Sequence, residues 1–304
     1  MSFTGFIDVH AHTMTEHCVP YAAGPLKGCH QTSTPSELMK FYDSYGVEKG
    51  FLLPQVNVEN VIACQSNEEI LHIASQHPDR FIPFCNIDPR NLNNAASSPF
   101  AAILRQYRDK GCRGIGEICA NLRFLDYRVQ ALFAAAEEVG LPVLFHTTPF
   151  ADVGHGLVDA VCGFPELEIS LQRFPKLKFI GHSRAFWGEI SKVDYIDDRF
   201  NLPKTPVAEG RLVELFRKYP NLCGDLSGDG GCNVILRDRK YAAKFFTEFQ
   251  DRLMFGLNIR SPEVERARPS PLPALLSEMC DKGEISRGVF LKIARENALK
   301  MMGV

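Results

Sequence analysis

His10, His12, Glu117, His146, His182, Asp225 and Asn258 combine ligand-type side chains with positions at the ends of β-rich runs. Imidazole nitrogens and carboxylate oxygens are the donors that proteins offer to divalent transition metals. His10 and His12 stand two apart in an extended run, so both imidazoles project from one face and one cation can take both. Either histidine alone reads more simply as a hydrogen-bonded core residue, but four histidines at matching strand ends argue against that description. Glu117 lies in Gly114-Ile-Gly-Glu-Ile118, a run so apolar that a buried carboxylate there needs a cation or strong hydrogen bonds to offset its desolvation. Pairing with Arg113 is the alternative, and the metal is preferred. Asp225, in Gly224-Asp-Leu-Ser-Gly228, reads either as a carboxylate orienting a ligand histidine or as the cap of the glycine-rich loop 227–231; of the two, the cap is preferred. His17, His30, His72, His77 and His155 follow no strand-end rule. His72 and His77 read as helix-surface residues, while His17, His30 and His155 fall in loops above the strand ends, where they are candidate substrate contacts, His155 first among them, although exposed loop histidines are the preferred description.

Short β-rich runs at 6–12, 47–54, 81–87, 112–118, 142–147, 177–183, 222–227 and 253–259 are what must position this set. They alternate with helical stretches that begin near Thr34 and continue at 66–77, 101–110, 127–139, 166–174, 211–219 and 240–249. Two closing helices are expected at 273–280 and 288–302. Eight strand and helix pairs in order predict a single (β/α)₈ TIM-type barrel over residues 1–304, with a metal site at the C-terminal ends of its strands. A doubly wound sheet would carry a glycine-rich phosphate loop after its first strand, and here that strand ends in His-Ala-His. The longest irregular stretch, 184–210, is expected over the barrel mouth. It contains the only tryptophan, Trp187, a candidate substrate contact.

Composition sets the surrounding limits. The chain has 304 residues, 45% hydrophobic and 23% charged, an ordinary globular balance that excludes disorder and supports a large core. Lys plus Arg number 34 against 36 Asp plus Glu, so the net charge of −2 carries no footprint for nucleic acid or an acidic membrane, and a small-molecule substrate is expected. No basic segment precedes an apolar core at the N-terminus, and no apolar run approaches the roughly 18 residues of a membrane span. A cytoplasmic protein is expected, its ten cysteines reduced; without a Cys-x-x-Cys pair, a cysteine-based zinc site loses support.

In order and spacing, Phe6-Ile-Asp-Val-His-Ala-His12, Val143-Leu-Phe-His146, Lys178-Phe-Ile-Gly-His182, Asp251-Arg-Leu-Met-Phe-Gly256 and Glu296-Asn-Ala298 resemble the amidohydrolase superfamily. Within it the chain is similar to the amidohydrolase-2 group of enzymes like aminocarboxymuconate semialdehyde decarboxylase, over nearly its whole length. The resemblance implies a divalent metal, usually zinc, held by His10, His12 and His146, with His182 a further ligand or the catalytic base. A shorter likeness to TatD-type metal hydrolases implies that Glu117 bridges two ions, so one or two metals are expected. Related barrels are often dimers or larger, which implies a homo-oligomer by analogy.

After Phe255-Gly256 the family places an Asp two residues on, where this chain has Leu257-Asn258. An amide oxygen is a weak ligand with no basicity for general base catalysis. Three accounts fit: an introduced Asp-to-Asn change, an enzyme that uses His182 or Glu117 as base, or a binding protein that has lost catalysis. In an active site the resemblance implies hydrolysis of an ester, lactone or amide, or, alternatively, decarboxylation of an unsaturated or aromatic carboxylate. Arg184 and Arg260, each two residues beyond a site position, are candidates to grip a substrate carboxylate, or are ordinary surface arginines.

Overall fold

A computed structural model describes residues 3–19, 27–59, 64–152 and 154–304. Its strands are β1 Phe6–Ala11, β2 Val47–Leu52, β3 Phe81–Pro83, β4 Ile115–Ile118, β5 Val143–Thr148, β6 Leu157–Val158, β7 Phe179–His182, β8 Leu222–Asp225 and β9 Leu253–Met254. All ladders are parallel, in the orders β1-β2-β3 and β4-β5-β7-β8-β9, with β6 attached to the side of β5. The two runs join where Cys85 N donates to Gly114 O and Gly116 N to Cys85 O, both at 3.0 Å. They join again where Val9 N donates to Phe255 O at 3.1 Å and Asn258 N to His10 O at 2.9 Å. The result is a TIM barrel ringed by helices, as the alternation predicts.

Helix Pro35–Tyr45 shows how local chemistry sets the boundaries. Glu37 N donates to Thr34 Oγ1 at 3.3 Å while Thr34 N donates to Glu37 Oε2 at 3.0 Å, a reciprocal cap, and Gly46 at φ 73° ends the helix. Two expectations need correction. The glycine-rich stretch 227–231 is not a loop, because helix Gly228–Arg237 starts there. A Cβ on Gly231 would sit 2.2 Å from Leu226 O, and one on Gly230 would sit 2.8 Å from Ser183 O, so these glycines serve close backbone approach. The closing helix 288–302 is broken by a π turn, Lys292–Glu296, which frees the Ile293 carbonyl to accept from Phe255 N at 2.9 Å.

Apolar packing forms two layers. Outside the ring, Leu38, Ile70, Leu104, Leu132, Leu167, Leu212 and Phe245 of the helices pack on strand residues such as Phe6, Ile115, Val143 and Phe179. Inside it, Ile7, Val9, Phe51, Phe84, Leu144, Ile180, Cys223 and Met254 form a plug with Ala298 and Met302 of the last helix. Two residues after Leu144, Ile180 and Cys223 come His146, His182 and Asp225, which strand alternation keeps inside. Alternation alone would send His10 outward with Asp8, whose Oδ2 accepts from Tyr42 Oη of the first helix at 2.8 Å. The register slips between Asp8↔Gly50 and Ala11↔Leu52, and the extra residue turns His10 inward. A second slip, between Ile115↔Val143 and Ile118↔Phe145, does the same for Glu117.

Segment 184–210 is tied down by Arg199, which is fully buried. Its Nη1 donates to Asp159 O at 2.6 Å, its Nε lies 3.1 Å from Glu189 Oε1, and its guanidinium lies over Phe164. Phe200 follows and lines the cavity at the barrel mouth. Trp187 does not: it is 2% exposed, packs against Phe186, Phe216 and Phe245, and donates from Nε1 to Asp225 O at 2.8 Å. Its expected contact with substrate is therefore replaced by a place in the core beneath the site. All ten cysteines are free, and among the described residues no helix is long and apolar enough to cross a membrane.

Asp8 links first strand, first helix and the β9 end, because Oδ1 accepts from His10 N and Leu257 N, both at 2.9 Å. Tyr42→Phe strips Oδ2 of its partner in a buried setting and is expected to lower the unfolding free energy by about 1–3 kcal/mol. Urea unfolding with an unchanged slope reads this directly, and an unshifted midpoint contradicts it.

Candidate metal centre

Asp225 organises the floor of the site. Its Oδ2 lies 2.7 Å from His10 Nδ1 and 3.0 Å from His182 Nδ1, while Oδ1 accepts from Ser227 N at 2.8 Å. The preferred reading of Asp225 as only a cap is thus corrected: one oxygen caps and the other holds two imidazoles. An ionised carboxylate can only accept, so both histidines carry a proton on Nδ1 and turn Nε2 toward the centre. His12 Nδ1 faces the Leu53 carbonyl at 3.1 Å, with the same consequence. The Nε2 atoms of His10 and His12 are 3.0 Å apart, and Glu117 Oε2 stands 3.4 Å from the first and 3.5 Å from the second.

Two inward lone pairs beside a carboxylate require a positive charge between them. Burial alone would push the His10 imidazole down, but Glu117 and Asp225 outweigh it and raise it to about 10, so a proton takes that place. Burial favours neutral Glu117, yet His10, His12 and His146 hold it well below the usual carboxylate range. Asp225 is likewise held down by His182 and His10 against its burial. Burial lowers His12, His146 and His182. Two carboxylates against one imidazolium leave one excess negative charge, which a divalent ion in place of the His10 Nε2 proton cancels. The donor set therefore fits a divalent cation, with His10 Nε2, His12 Nε2 and Glu117 Oε2 as the atoms able to hold it.

His146 faces the other side of Glu117, with Nδ1 2.7 Å from Oε1, and Cys119 lies beside the pair. Above them opens a cavity of about 330 Å³, lined by His146, His155, His182, Ser183, Arg184, Phe200, residues 227–230, Asn258 and Arg260. His155 packs on His146, and burial, with His146 next, pushes it down to about 4. Arg184 is engaged by Asp229, whereas the exposed Arg260 guanidinium has no ion-pair partner among the described residues. Asn258 adopts φ 55°, a left-handed conformation that asparagine tolerates. Its Nδ2 lies 3.2 Å from His182 Nε2, and its Oδ1 is buried with no partner.

The structure thus brings His10, His12, Glu117, His146, His182 and Asn258 together, with Arg184, Arg260 and His155 on the cavity wall and Trp187 below. Sequence reasoning passed over Phe200, Ser227 and Cys119. Of these, Cys119 carried a readable signal, since it stands two residues after Glu117 at the same strand end.

A family model described as Amidohydrolase matches residues 7–304. No curated protein matches the chain. Among solved structures, the chain is similar to 2,6-dihydroxybenzoate decarboxylase from Rhizobium, at 15% identity over 99% of each chain with a TM-score of 0.62. It is also similar to a probable 2-pyrone-4,6-dicarboxylic acid hydrolase from Acinetobacter baumannii with citric acid bound, at 14% identity, 98% and 99% coverage and a TM-score of 0.58. A third is a 5-carboxyvanillate decarboxylase mutant from Novosphingobium aromaticivorans with bound manganese, at 14% identity, 99% and 97% coverage and a TM-score of 0.61. At such identities these likenesses establish the barrel alone. With its family match running from β1 to the last residue, the chain belongs to the amidohydrolase family.

Proposed function

We propose that this chain is a single-domain, metal-dependent hydrolase of a small carboxylated carbonyl compound, an ester, lactone or amide, with zinc as its metal. The carrying observation is His182: Nδ1 rests on Asp225 at 3.0 Å, and Nε2 faces Asn258 at the cavity floor. His10, His12 and Glu117 would hold a divalent cation, which when bound would polarise the carbonyl oxygen and make water more acidic, towards a pKa of ~7. His182 Nε2 is placed to accept the proton of the attacking water and return it to the leaving group. Asp225 keeps that imidazole in the required tautomer and stabilises its charge once protonated. Asn258 Nδ2 rests against Nε2 and yields that contact when the imidazole takes the proton; its Oδ1 is buried without a partner, and as an amide it positions the reacting groups without being the base.

Arg260, exposed and free of ion pairs among the described residues, supports recognition of a substrate carboxylate. The first turn of helix Gly228–Arg237 adds backbone N–H groups at the same wall. The balanced charge of the chain supports a small molecule over nucleic acid, and a cytoplasmic site of action agrees with its free thiols. Decarboxylation is the second reading, favoured by Phe200, which lines the cavity and stacks on Phe150 at 5.5 Å and 11°, a flat wall suited to a planar unsaturated acid.

His10→Ala is expected to abolish bound metal by elemental analysis, and full metal content in that variant contradicts the ligand assignment. Chelation of the native protein is expected to lower its unfolding free energy by about 2.7 kcal/mol, taking free metal at a hundred times Kd as reference. His182→Gln is expected to lower kcat by about 10²–10⁴-fold at unchanged metal content. Unchanged turnover removes His182 as the base. Product analysis on carboxylated lactones and aromatic acids separates the two readings: oxygen from labelled water in an acid product marks hydrolysis, and released carbon dioxide marks decarboxylation.

A further inference from the structure

Glu117 has two oxygens and each faces a different group of donors. Oε2 looks toward His10 Nε2 and His12 Nε2 at 3.4 and 3.5 Å. Oε1 is turned to His146 Nδ1 at 2.7 Å, and Cys119 Sγ completes that second group, its three ligand atoms lying within 4.8 Å of one another. Cys119 is 2% exposed, and its thiol is buried within this cluster. Its position is built. Cys119 N donates to Asn57 Oδ1 at 2.8 Å, Asn57 Nδ2 donates to Asp88 Oδ2 at 2.9 Å, and Gly156 N donates to Cys119 O at 2.7 Å. Asn86 Nδ2 fixes the neighbouring Glu117 carbonyl at 2.7 Å.

We propose that Cys119 is a thiolate ligand of a second divalent cation, held with His146 and Glu117, which then bridges two ions. The proposal rests on the metal reading above and goes beyond it by naming a sulfur donor and the class of ion it selects. Thiolate with imidazole favours zinc-class ions over magnesium, calcium or manganese. The thiol gives up its proton to solvent on binding, and His146 stays neutral by carrying its one proton on Nε2 instead of Nδ1. An anionic donor at Cys119 also offsets the one absent at Asn258, where an amide stands in place of a carboxylate. The competing description makes Cys119 only a hydrogen-bond donor to Glu117.

The test loads the native chain with zinc, counts metal per chain, and records zinc X-ray absorption. Two ions with a sulfur scatterer at ~2.3 Å are expected. Cys119→Ser should keep the first ion and lose both the second ion and the sulfur signal. Two ions without sulfur, a single ion, or sulfur persisting in Cys119→Ser each overturn the proposal while leaving the first metal site standing. No bound metal overturns it together with the metal reading. Should the serine variant fail to fold, the native spectrum still decides, because absence of sulfur rejects a thiolate ligand.

Discussion

Two ionised carboxylates, Glu117 and Asp225, are buried inside the ring of strands, and the imidazoles aimed at them, with the Ser227 N–H and hydroxyl on Asp225, offset the cost of putting them there. Asp225 takes Nδ1 of both His10 and His182, which forces their Nε2 atoms toward Glu117. Glu117 in turn takes His146 on its other oxygen. Removing any one of these groups leaves a buried charge or an inward lone pair unmatched. The cluster is self-consistent only with a positive charge at its middle, which a proton on His10 provides minimally and a divalent ion provides fully.

The barrel beneath exists to hold that cluster at fixed geometry. An apolar plug from Ile7 to Met302 fills the lower interior, so the polar residues can stand only at the upper strand ends. Asp8 ties β1 to the first helix and to the backbone just before Asn258. Arg199 performs a similar task above, anchoring segment 184–210 so that Phe200 faces the cavity. Rigid strands thus carry the proton-handling and metal-facing groups, while the tied-down loop carries a wall that shapes what enters.

Much of this is legible in the sequence. The His-x-His pair, the histidines closing β5 and β7, and the repeated strand and helix pattern point to a barrel with a polar upper end. The inward turn of His10 and Glu117 is less legible, because each depends on a one-residue register slip that period-two alternation does not encode. Asp225 was only half readable, since its second role requires knowing that β8 pairs with β7, which ends in His182, and that His10 of β1 reaches the same carboxylate. Gly230 and Gly231 resemble loop glycines until the close approach of Ser183 and Leu226 is seen. Trp187 shows what the sequence leaves out, because a lone tryptophan in an insertion over the barrel mouth reads as a substrate contact, whereas the fold buries it against Phe186, Phe216 and Phe245. Cys119 was readable only through its place two residues after Glu117, since no pairwise motif sets it apart from the other cysteines, and its proximity to His146 appears only in the fold.

The central claim is that the buried charge balance around Glu117 is completed by a divalent cation. A crystal structure of the zinc-loaded chain, with anomalous data collected on both sides of the zinc edge, tests it most directly. The account predicts an anomalous peak in contact with His10 Nε2, His12 Nε2 and Glu117. Zinc peaks confined to the surface, with His10 Nε2 and His12 Nε2 still facing each other across no ion, would contradict it.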